Sequence, residues 1–337
     1  MSSGERTIHP VTPVCRTAVS SPAAWRGADF ASASAYTIDL AGLRGEIDAI
    51  VGTIRQRGAT LENADPLDFP LAPLRPAIDR LVGELASGRG FALVRNLCAE
   101  GYSPGEMGML YWLVGALMGA SLPQNKAGDR LGSVTDRSYV ESQARGYRTR
   151  EEMTFHTDVA DIVGLMCVRP ARSGGASQIA SALTIHNLLL EEHPELLDRL
   201  YAGYIYDRAG EGESADHLTD HRVPVYSNMA GAVSARLYRP LAEVGQAKAG
   251  APFSDSDRQA FDFIEAAARR PGVMLEIPLQ AGEILFLNNY TVLHARTGFE
   301  DFEEPAQKRL LFRLWLNRDG FRTTHPDIEM GPIGRAA

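Results

Sequence analysis

The stretch GEILFLNNYTVLHARTGF, residues 282–299, carries the clearest fold signal in the chain. Gly282 predicts a turn, and the apolar run 284–288 predicts a buried strand. Two asparagines and a tyrosine then separate this strand from a second one, which begins at or near His294. The stretch therefore predicts a strand, a turn and a second strand that carries a histidine.

Other short apolar and β-branched segments lie in the second half of the chain. Glycine and proline between them favour an antiparallel sandwich or barrel over a repeating βαβ unit. The predicted strands cover residues 163–168, 178–182, 273–277 and 310–316. Two helices interrupt them, one over 184–201 and one from a cap at Ser254 to about residue 270.

The first third of the chain is predicted to be mainly helical. Residues 43–57 place apolar side chains at helical spacing, and Gly58 supplies a C-terminal stop. A second helix is predicted over 77–87, and a third begins at Pro104 behind an N-cap at Ser103. We expect these elements to pack outside the barrel.

Composition limits the class of protein. The chain has 337 residues, 45% hydrophobic and 23% charged, which is enough to bury a large core. A formal net charge of -8 disfavours nucleic acid and anionic membranes as partners and favours a small-molecule substrate. No secretory signal is evident, and the longest apolar stretch, 107–122, falls short of the ~20 residues that cross a bilayer. Three widely spaced cysteines fit a reducing, cytoplasmic setting, and formation of a homo-oligomer stays open.

The triplet His156-Thr157-Asp158 is the first candidate for chemistry. On an extended strand, residues two apart project to the same side, so both side chains can share one metal ion. The pattern alone is weak, since such residues are more often solvated or hydrogen-bonded to backbone. Between Asp158 and His294 lie 135 residues, so only a fold that returns the chain, such as a jelly roll, unites them. Two imidazoles and one carboxylate can hold one face of a ferrous ion and leave three positions open.

The segment KRLLFRLWLN, residues 308–317, is the second candidate. Arg309 and Arg313 are four apart on a predicted strand and so share one face. Two inward guanidiniums are costly unless each meets an anion. They either form salt bridges on a sheet face or bind a dianionic co-substrate and the substrate.

These motifs together resemble the TauD/TfdA-like (clavaminate synthase-like) Fe(II)/2-oxoglutarate-dependent dioxygenases. The resemblance runs from about residue 90 to 317 through GFALVRN, SLPQNKAGDRLGSVTD, FHTD, SGGAS, AGEILFLNNYTVLHAR and the paired arginines, in that order. It implies a mixed α+β fold with a double-stranded β-helix (jelly roll) core and flanking helices. Residues 1–40 carry no family signal. Residues 41–337 are then expected to form one dioxygenase domain with N-terminal helices and an inserted, lid-like segment over 207–250.

The resemblance also implies roles for individual residues. His156, Asp158 and His294 match the iron ligands. Arg309, fifteen residues past the distal histidine, matches the arginine that binds the C5 carboxylate of 2-oxoglutarate. Ser177 stands where many relatives have threonine and is expected to offer its hydroxyl to the same carboxylate.

Six further positions have weaker implied roles. Arg313 matches a position that contacts the substrate or the same co-substrate region. Gln124 is expected to contact the substrate and Asn125 the co-substrate, although turn-capping amides explain both equally well. Asn288, Asn289 and Tyr290 are expected to orient His294 through hydrogen bonds.

The implied reaction uses Fe(II), 2-oxoglutarate and dioxygen, and releases succinate and CO2. Hydroxylation of an unactivated carbon is the default outcome, and the carboxylate of Asp158 disfavours halogenation. Desaturation, cyclisation and epoxidation stay open. Arg313, Arg169 and Arg172 favour a small polar or anionic substrate resembling an amino acid. A non-catalytic metal-binding jelly-roll protein and a purely structural sandwich are the alternatives from other classes.

Overall fold

The computed structural model describes residues 9–125, 127–136, 149–208 and 217–331. Several predicted features extend beyond these ranges. Residues 1–8 of the predicted N-terminal extension, Lys126 in the motif 121–136, and 209–216 of the predicted lid-like segment lie outside the described residues. The same holds for 137–148 and 332–337 of the predicted domain.

The described residues form seven α-helices and fifteen strands. The helices are α1 Arg44–Arg57, α2 Arg75–Ala86, α3 Pro104–Met118, α4 Ala182–Glu192, α5 Leu197–Ala202, α6 Arg239–Lys248 and α7 Asp255–Ala268. The strands are β1 Thr37–Asp39, β2 Phe91–Arg95, β3 Ala120–Ser121, β4 Leu131–Val134, β5 Met153–His156, β6 Ile162–Arg169, β7 Ser173–Gly174, β8 Ser177–Ser181, β9 Tyr226–Met229, β10 Ala232–Ala235, β11 Leu275–Ile277, β12 Ile284–Asn288, β13 Val292–Arg296, β14 Phe299–Glu300 and β15 Leu310–Asn317.

Two sheets form the core, as the jelly-roll prediction required. The larger sheet has the order β1-β2-β12-β6-β15-β3, with β4 also paired to β15. The smaller sheet has the order β11-β8-β13-β5. All pairs in the two sheets are antiparallel except the parallel pair of β1 with β2. The predicted antiparallel sandwich, the mixed α+β class and the double-stranded β-helix core are confirmed.

Alternation along each strand decides which side chains face the space between the sheets. On β12, Leu285 and Leu287 belong to the cluster between the sheets, whereas Phe286 packs against the helices outside. On β15, Leu311 and Trp315 belong to the inner cluster. Arg309 and Arg313 have the same parity and so point inward as well.

Helices α1, α2 and α3 cover the outer face of the larger sheet. Gly58, in the left-handed region at φ 56°, ends α1 as predicted. Ser103 caps α3 as predicted, because its hydroxyl accepts the backbone N–H of Glu106. Within the described ranges, none of the helices combines the length and the apolar character that crossing a bilayer requires.

Helices α4, α5 and α7 cover the outer face of the smaller sheet. The single helix predicted over 184–201 is wrong, because α4 ends at Glu192 and α5 starts at Leu197. Pro194 lies between them and lacks the N–H that a continuous helix needs. The helix predicted from the cap Ser254 is confirmed as α7, with the Ser254 hydroxyl accepting the N–H of Asp257.

Two segments without an assigned element in the prediction contribute to the fold. From the N-terminal region, β1 extends the larger sheet, and the Trp25 indole donates to the carbonyl of Arg89 over 2.8 Å. The described part of the lid-like segment contains the hairpin of β9 and β10 and the helix α6. Much of that hairpin is buried in the cluster beneath the smaller sheet.

Candidate metal centre

The three predicted ligands meet at one end of the smaller sheet. His156 ends β5 and lies directly opposite His294 on β13, so the imidazole centroids are 4.2 Å apart. Asp158 lies two residues beyond the end of β5, and its Oδ2 is 3.8 Å from Nε2 of His294. One nitrogen of each imidazole and one oxygen of the carboxylate all lie within 4.8 Å of one another. Such a cluster has the donor set for a divalent cation.

The protonation states suit metal coordination. Burial lowers the pKa of His156, and burial together with the neighbouring His156 lowers the pKa of His294 to about 3. Burial alone would raise the pKa of Asp158, but Arg313 and the two imidazoles bring it below its ordinary value. The site therefore presents two neutral imidazoles and an ionised carboxylate, the forms that bind a metal ion.

Hydrogen bonds orient two of the three ligands. Nδ1 of His156 lies 2.9 Å from the carbonyl of Thr154, which directs Nε2 to the cluster. The backbone N–H of Asp158 donates to Oδ1 of Asn289 over 3.1 Å, and the Arg236 guanidinium donates to the carbonyl of Asp158. The expectation that Asn288, Asn289 and Tyr290 orient His294 is wrong. Their side chains bond instead to the carbonyl of Leu85, the backbone at Asp158 and the carboxylate of Asp161, respectively, and Nδ1 of His294 has no partner among the described residues.

Of the two predicted arginines, Arg313 lies on β15 and Arg309 directly precedes it, and both line the pocket at the cluster. Nη1 of Arg313 is 3.5 Å from Oδ1 of Asp158, and its guanidinium lies 4.4 Å from the Trp315 ring centroid. The Arg309 guanidinium donates weakly to the carbonyl of Gly175 at 3.4 Å. Burial lowers the pKa of Arg309 to about 10, so it remains a cation at neutral pH.

One pocket connects the cluster with these arginines. Its polar lining consists of His156, Asp158, Ser177, His294, Arg296, Arg309 and Arg313. Ser177 is buried on β8 directly opposite Arg296 on β13. The pocket therefore combines a metal-binding end with an arginine-rich end.

A family model, described as the taurine catabolism dioxygenase TauD, TfdA family, matches residues 54–315. The FR-33289 synthase of Streptomyces rubellomurinus is 31% identical over 305 residues, which cover 88% of this chain and 90% of the synthase. The chain belongs to the TauD/TfdA family. It is therefore an iron- and 2-oxoglutarate-dependent dioxygenase, with dioxygen as the oxidant, as the sequence predicted.

Solved structures share the fold of this TauD/TfdA chain. The asparagine oxygenase complex with Fe(II), 2S,3S-3-hydroxyasparagine and succinate has a TM-score of 0.63 at 16% identity, covering 89% of this chain and all of that one. The non-heme iron oxygenase OrfP with Fe and alpha-ketoglutaric acid has a TM-score of 0.58 at 18% identity, covering 88% and 99%. At these identities the likeness supports the jelly-roll fold alone.

The site of this TauD/TfdA enzyme fits the iron that the family uses. Among the described residues, Oδ2 of Asp158 is buried without a hydrogen-bond partner. A buried carboxylate oxygen in that state is costly unless a cation meets it. His156, Asp158 and His294 could supply three ligands to such an ion, which would leave its other positions to a chelating co-substrate.

Gln124 and Asn125, the two amides predicted to contact ligands, have different surroundings in the structure. Gln124 is buried, accepts a hydrogen bond from Nε of Arg313 over 2.8 Å and donates to the carbonyl of Arg313 over 2.7 Å. Asn125 instead accepts the backbone N–H groups of Ala127 and Asp129, as a turn-capping residue does. Gln124 thus reaches the site through Arg313, whereas the contacts of Asn125 are those of its own turn.

Sequence reasoning missed three residues around the site. Arg296 lines the pocket, Arg236 donates to the Asp158 backbone, and the ring of Tyr238 lies 5.3 Å from that of His156. Arg296 had a readable signal, because it lies two residues after His294 on the same strand face. Arg236 and Tyr238 had none, since they belong to the segment interpreted as loops.

Proposed function

We propose that this enzyme hydroxylates an unactivated carbon of a small polar or anionic, amino-acid-like metabolite. His156, Asp158 and His294 would hold the iron, and 2-oxoglutarate would be converted to succinate and CO2. The single observation that carries these assignments is the cluster of the three ligand atoms within 4.8 Å at one end of an arginine-lined pocket. Bound iron would supply dioxygen activation, which no side chain provides.

Different residues of the pocket would bind the co-substrate, bind the substrate and exclude water. Arg309 and Ser177 would bind the distal carboxylate of 2-oxoglutarate through charge-assisted and hydroxyl hydrogen bonds. Arg313, held by Gln124 and Asp158, would attract an anionic group of the substrate close to the metal. The apolar lining from Val134, Leu165 and Leu311 would limit water near the reacting carbon.

Similar proteins support an amino-acid-like substrate. The asparagine oxygenase structure contains hydroxyasparagine, and OrfP structures contain L-arginine or its hydroxylated forms. A uridine-5'-phosphate dioxygenase of Streptomyces, 28% identical over 178 residues, is named for an anionic substrate. These names and the cationic pocket lining together favour substrates that carry a carboxylate or another anion.

The described part of the lid-like segment, 207–208 and 217–250, is proposed to cover the site. The backbone N–H of Thr157 donates to the carbonyl of Leu237 over 2.8 Å, and Tyr238 follows directly beside His156. We also propose a cytoplasmic location, which the free state of Cys15, Cys98 and Cys167 supports.

The first test is an anaerobic titration of the apoprotein with Fe(II) and 2-oxoglutarate. We expect a weak visible charge-transfer band that saturates at one equivalent of each. Iron binding without this band would overturn the proposed co-substrate site.

The second test replaces Asp158 by alanine. Asp158→Ala should abolish the band and all succinate release, because one of three ligands is lost. Asp255→Ala, at a fully exposed side chain on α7, is the matched control and should leave both unchanged. Succinate release by Asp158→Ala at the wild-type rate would refute the ligand assignment. A screen of amino acids and other small anions for stimulated succinate release, with product mass, then identifies the substrate and the outcome.

A further inference from the structure

Arg296 is a buried arginine whose position links it to the co-substrate end of the pocket. It lies on β13 two residues after His294, so both side chains face the interior. Directly opposite it on β8 is Ser177. Arg296 is only 6% exposed and lines the pocket, so its guanidinium is withdrawn from water.

The hydrogen bonds of Arg296 are incomplete. Its Nη2 donates to the backbone carbonyls of Thr149 and Glu151. Nε and Nη1 are buried and have no partner among the described residues. Two unpartnered donor nitrogens on a buried cation are costly, and an anion in the pocket would satisfy them.

Arg309 also lines the pocket, and it too has an incomplete set of hydrogen bonds. The guanidinium carbons of Arg296 and Arg309 lie 4.9 and 5.0 Å from the centroid of the same Phe299 ring. Nη1 of Arg309 is also buried without a partner among the described residues. Arg313, by contrast, packs on Trp315 and pairs with Asp158. Two guanidiniums therefore line the pocket, and Asp158 is the one carboxylate in its described lining. Asp136 acts on Arg296 and Asp301 on Arg309 through their charge, but no described residue accepts a hydrogen bond from Nε or Nη1 of Arg296 or from Nη1 of Arg309.

We propose that Arg296 is a second guanidinium for the distal carboxylate of 2-oxoglutarate, forming a two-arginine clamp with Arg309. This inference rests on the proposed co-substrate site and adds a residue to it. The distal carboxylate accepts from Arg296, Arg309 and the Ser177 hydroxyl, which use its several lone pairs. The shared ring and the strand pairing place Arg296 with these two residues rather than with Arg313.

The test compares two ligands that differ only at the distal end. 2-Oxopentanoate has the carbon chain of 2-oxoglutarate with a methyl group in place of the distal carboxylate. Calorimetric titration of the Mn(II)-loaded protein gives the affinity for each, and their ratio measures recognition of the distal carboxylate. Arg296→Gln should reduce that ratio by about 10- to 100-fold, the range expected when a charge-assisted hydrogen bond is lost. Binding of 2-oxopentanoate should change little.

Two variants keep the test decisive. Arg57→Gln changes an arginine on α1 whose side chain is 50% accessible and does not line the pocket, and it should leave the ratio at the wild-type value. Arg296→Lys keeps the charge and loses the forked geometry, so it should show a smaller loss and replaces the glutamine variant if that one fails to fold.

The possible outcomes distinguish a failure of the proposed function from a failure of the two-arginine clamp. Wild-type protein that does not bind 2-oxoglutarate would refute the proposed function itself. Wild-type binding with an unchanged ratio in Arg296→Gln would refute the clamp alone. A loss shared equally by both ligands would overturn it in favour of a structural role through the carbonyls of Thr149 and Glu151.

Discussion

Replacing Gln124 by leucine tests how the pocket holds Arg313. Gln124 is 3% exposed and makes three hydrogen bonds at 2.7, 2.8 and 3.2 Å, two with Arg313 and one with the carbonyl of Arg130. Two neutral bonds at about 1 kcal/mol each and one to a charged group at about 2 kcal/mol give a loss of about 4 kcal/mol. The extra apolar burial of leucine offsets about 1 kcal/mol of this. We expect Gln124→Leu to lower the free energy of unfolding by about 3 kcal/mol.

The same substitution should weaken catalysis through Arg313. Without the acceptor at Nε, the guanidinium is free to leave Asp158, and kcat/KM for an anionic substrate should fall about 10-fold or more. A double-mutant cycle with Arg313→Gln identifies the route of the effect. If Gln124 acts through Arg313, adding Gln124→Leu to Arg313→Gln should cost little further activity.

Two measurements are needed, namely denaturant unfolding of the metal-loaded proteins and succinate release over a range of substrate concentrations. Additive losses in the cycle would refute the reasoning, since they would mean that Gln124 contacts the substrate itself. Unfolding free energies within 1 kcal/mol of wild type would also contradict it, as the three bonds would then contribute far less than about 4 kcal/mol.

Three further outcomes are expected. A hydrogen bond from Arg55 lowers the pKa of Glu106 in the folded protein to about 2, from the ordinary 4.5. The ionised carboxylate therefore stabilises the fold at pH values above 4.5, and this stabilisation is lost as the pH falls to about 2. Glu106→Gln should therefore be less stable than wild type near neutral pH, with the gap closing as the pH falls to about 2 in urea unfolding; a constant gap would exclude this linkage. Gly164→Ala should cost about 1–3 kcal/mol, because an added Cβ would lie 2.2 Å from the Tyr111 hydroxyl, and an unchanged thermal midpoint would contradict that close contact. Gly83→Ala, in open space on α2, should instead stabilise by about 0.5–1 kcal/mol, and a loss in the same thermal scan would show that the helix is constrained there.

The strands were predictable because their signal is local. Alternation predicts that Arg309, directly before β15, and Arg313, on it, point inward. The structure agrees, because both line the pocket and the same parity places Leu311 and Trp315 in the inner cluster. In the structure, His156 and Asp158 come close together for a reason that differs from the predicted one. The prediction put both on one strand, but β5 ends at His156, and Asp158 is held by hydrogen bonds to its backbone.

Some site residues could not be predicted because their contacts join residues that are far apart in the sequence. Arg236 reaches the Asp158 carbonyl across 78 residues, and a Gly- and Ser-rich region gives no periodic signal for such a contact. The break between α4 and α5 was missed for the opposite reason. Apolar side chains continue at helical spacing on both sides of Pro194. The periodicity therefore predicted one continuous helix, although a proline in a helix interior removes a hydrogen bond and breaks the helix.

The charges of the pocket explain why its ligands should bind together. Asp158 offsets only part of the charge of Arg296, Arg309 and Arg313, and a ferrous ion would add two more positive charges. Buried cations in excess are costly, and 2-oxoglutarate brings two carboxylates that neutralise part of them. Binding of metal and co-substrate should therefore stabilise the folded protein jointly, each increasing the affinity for the other by mutual attraction. Two net positive charges still remain in the pocket, and this remainder favours a negatively charged substrate beside the metal.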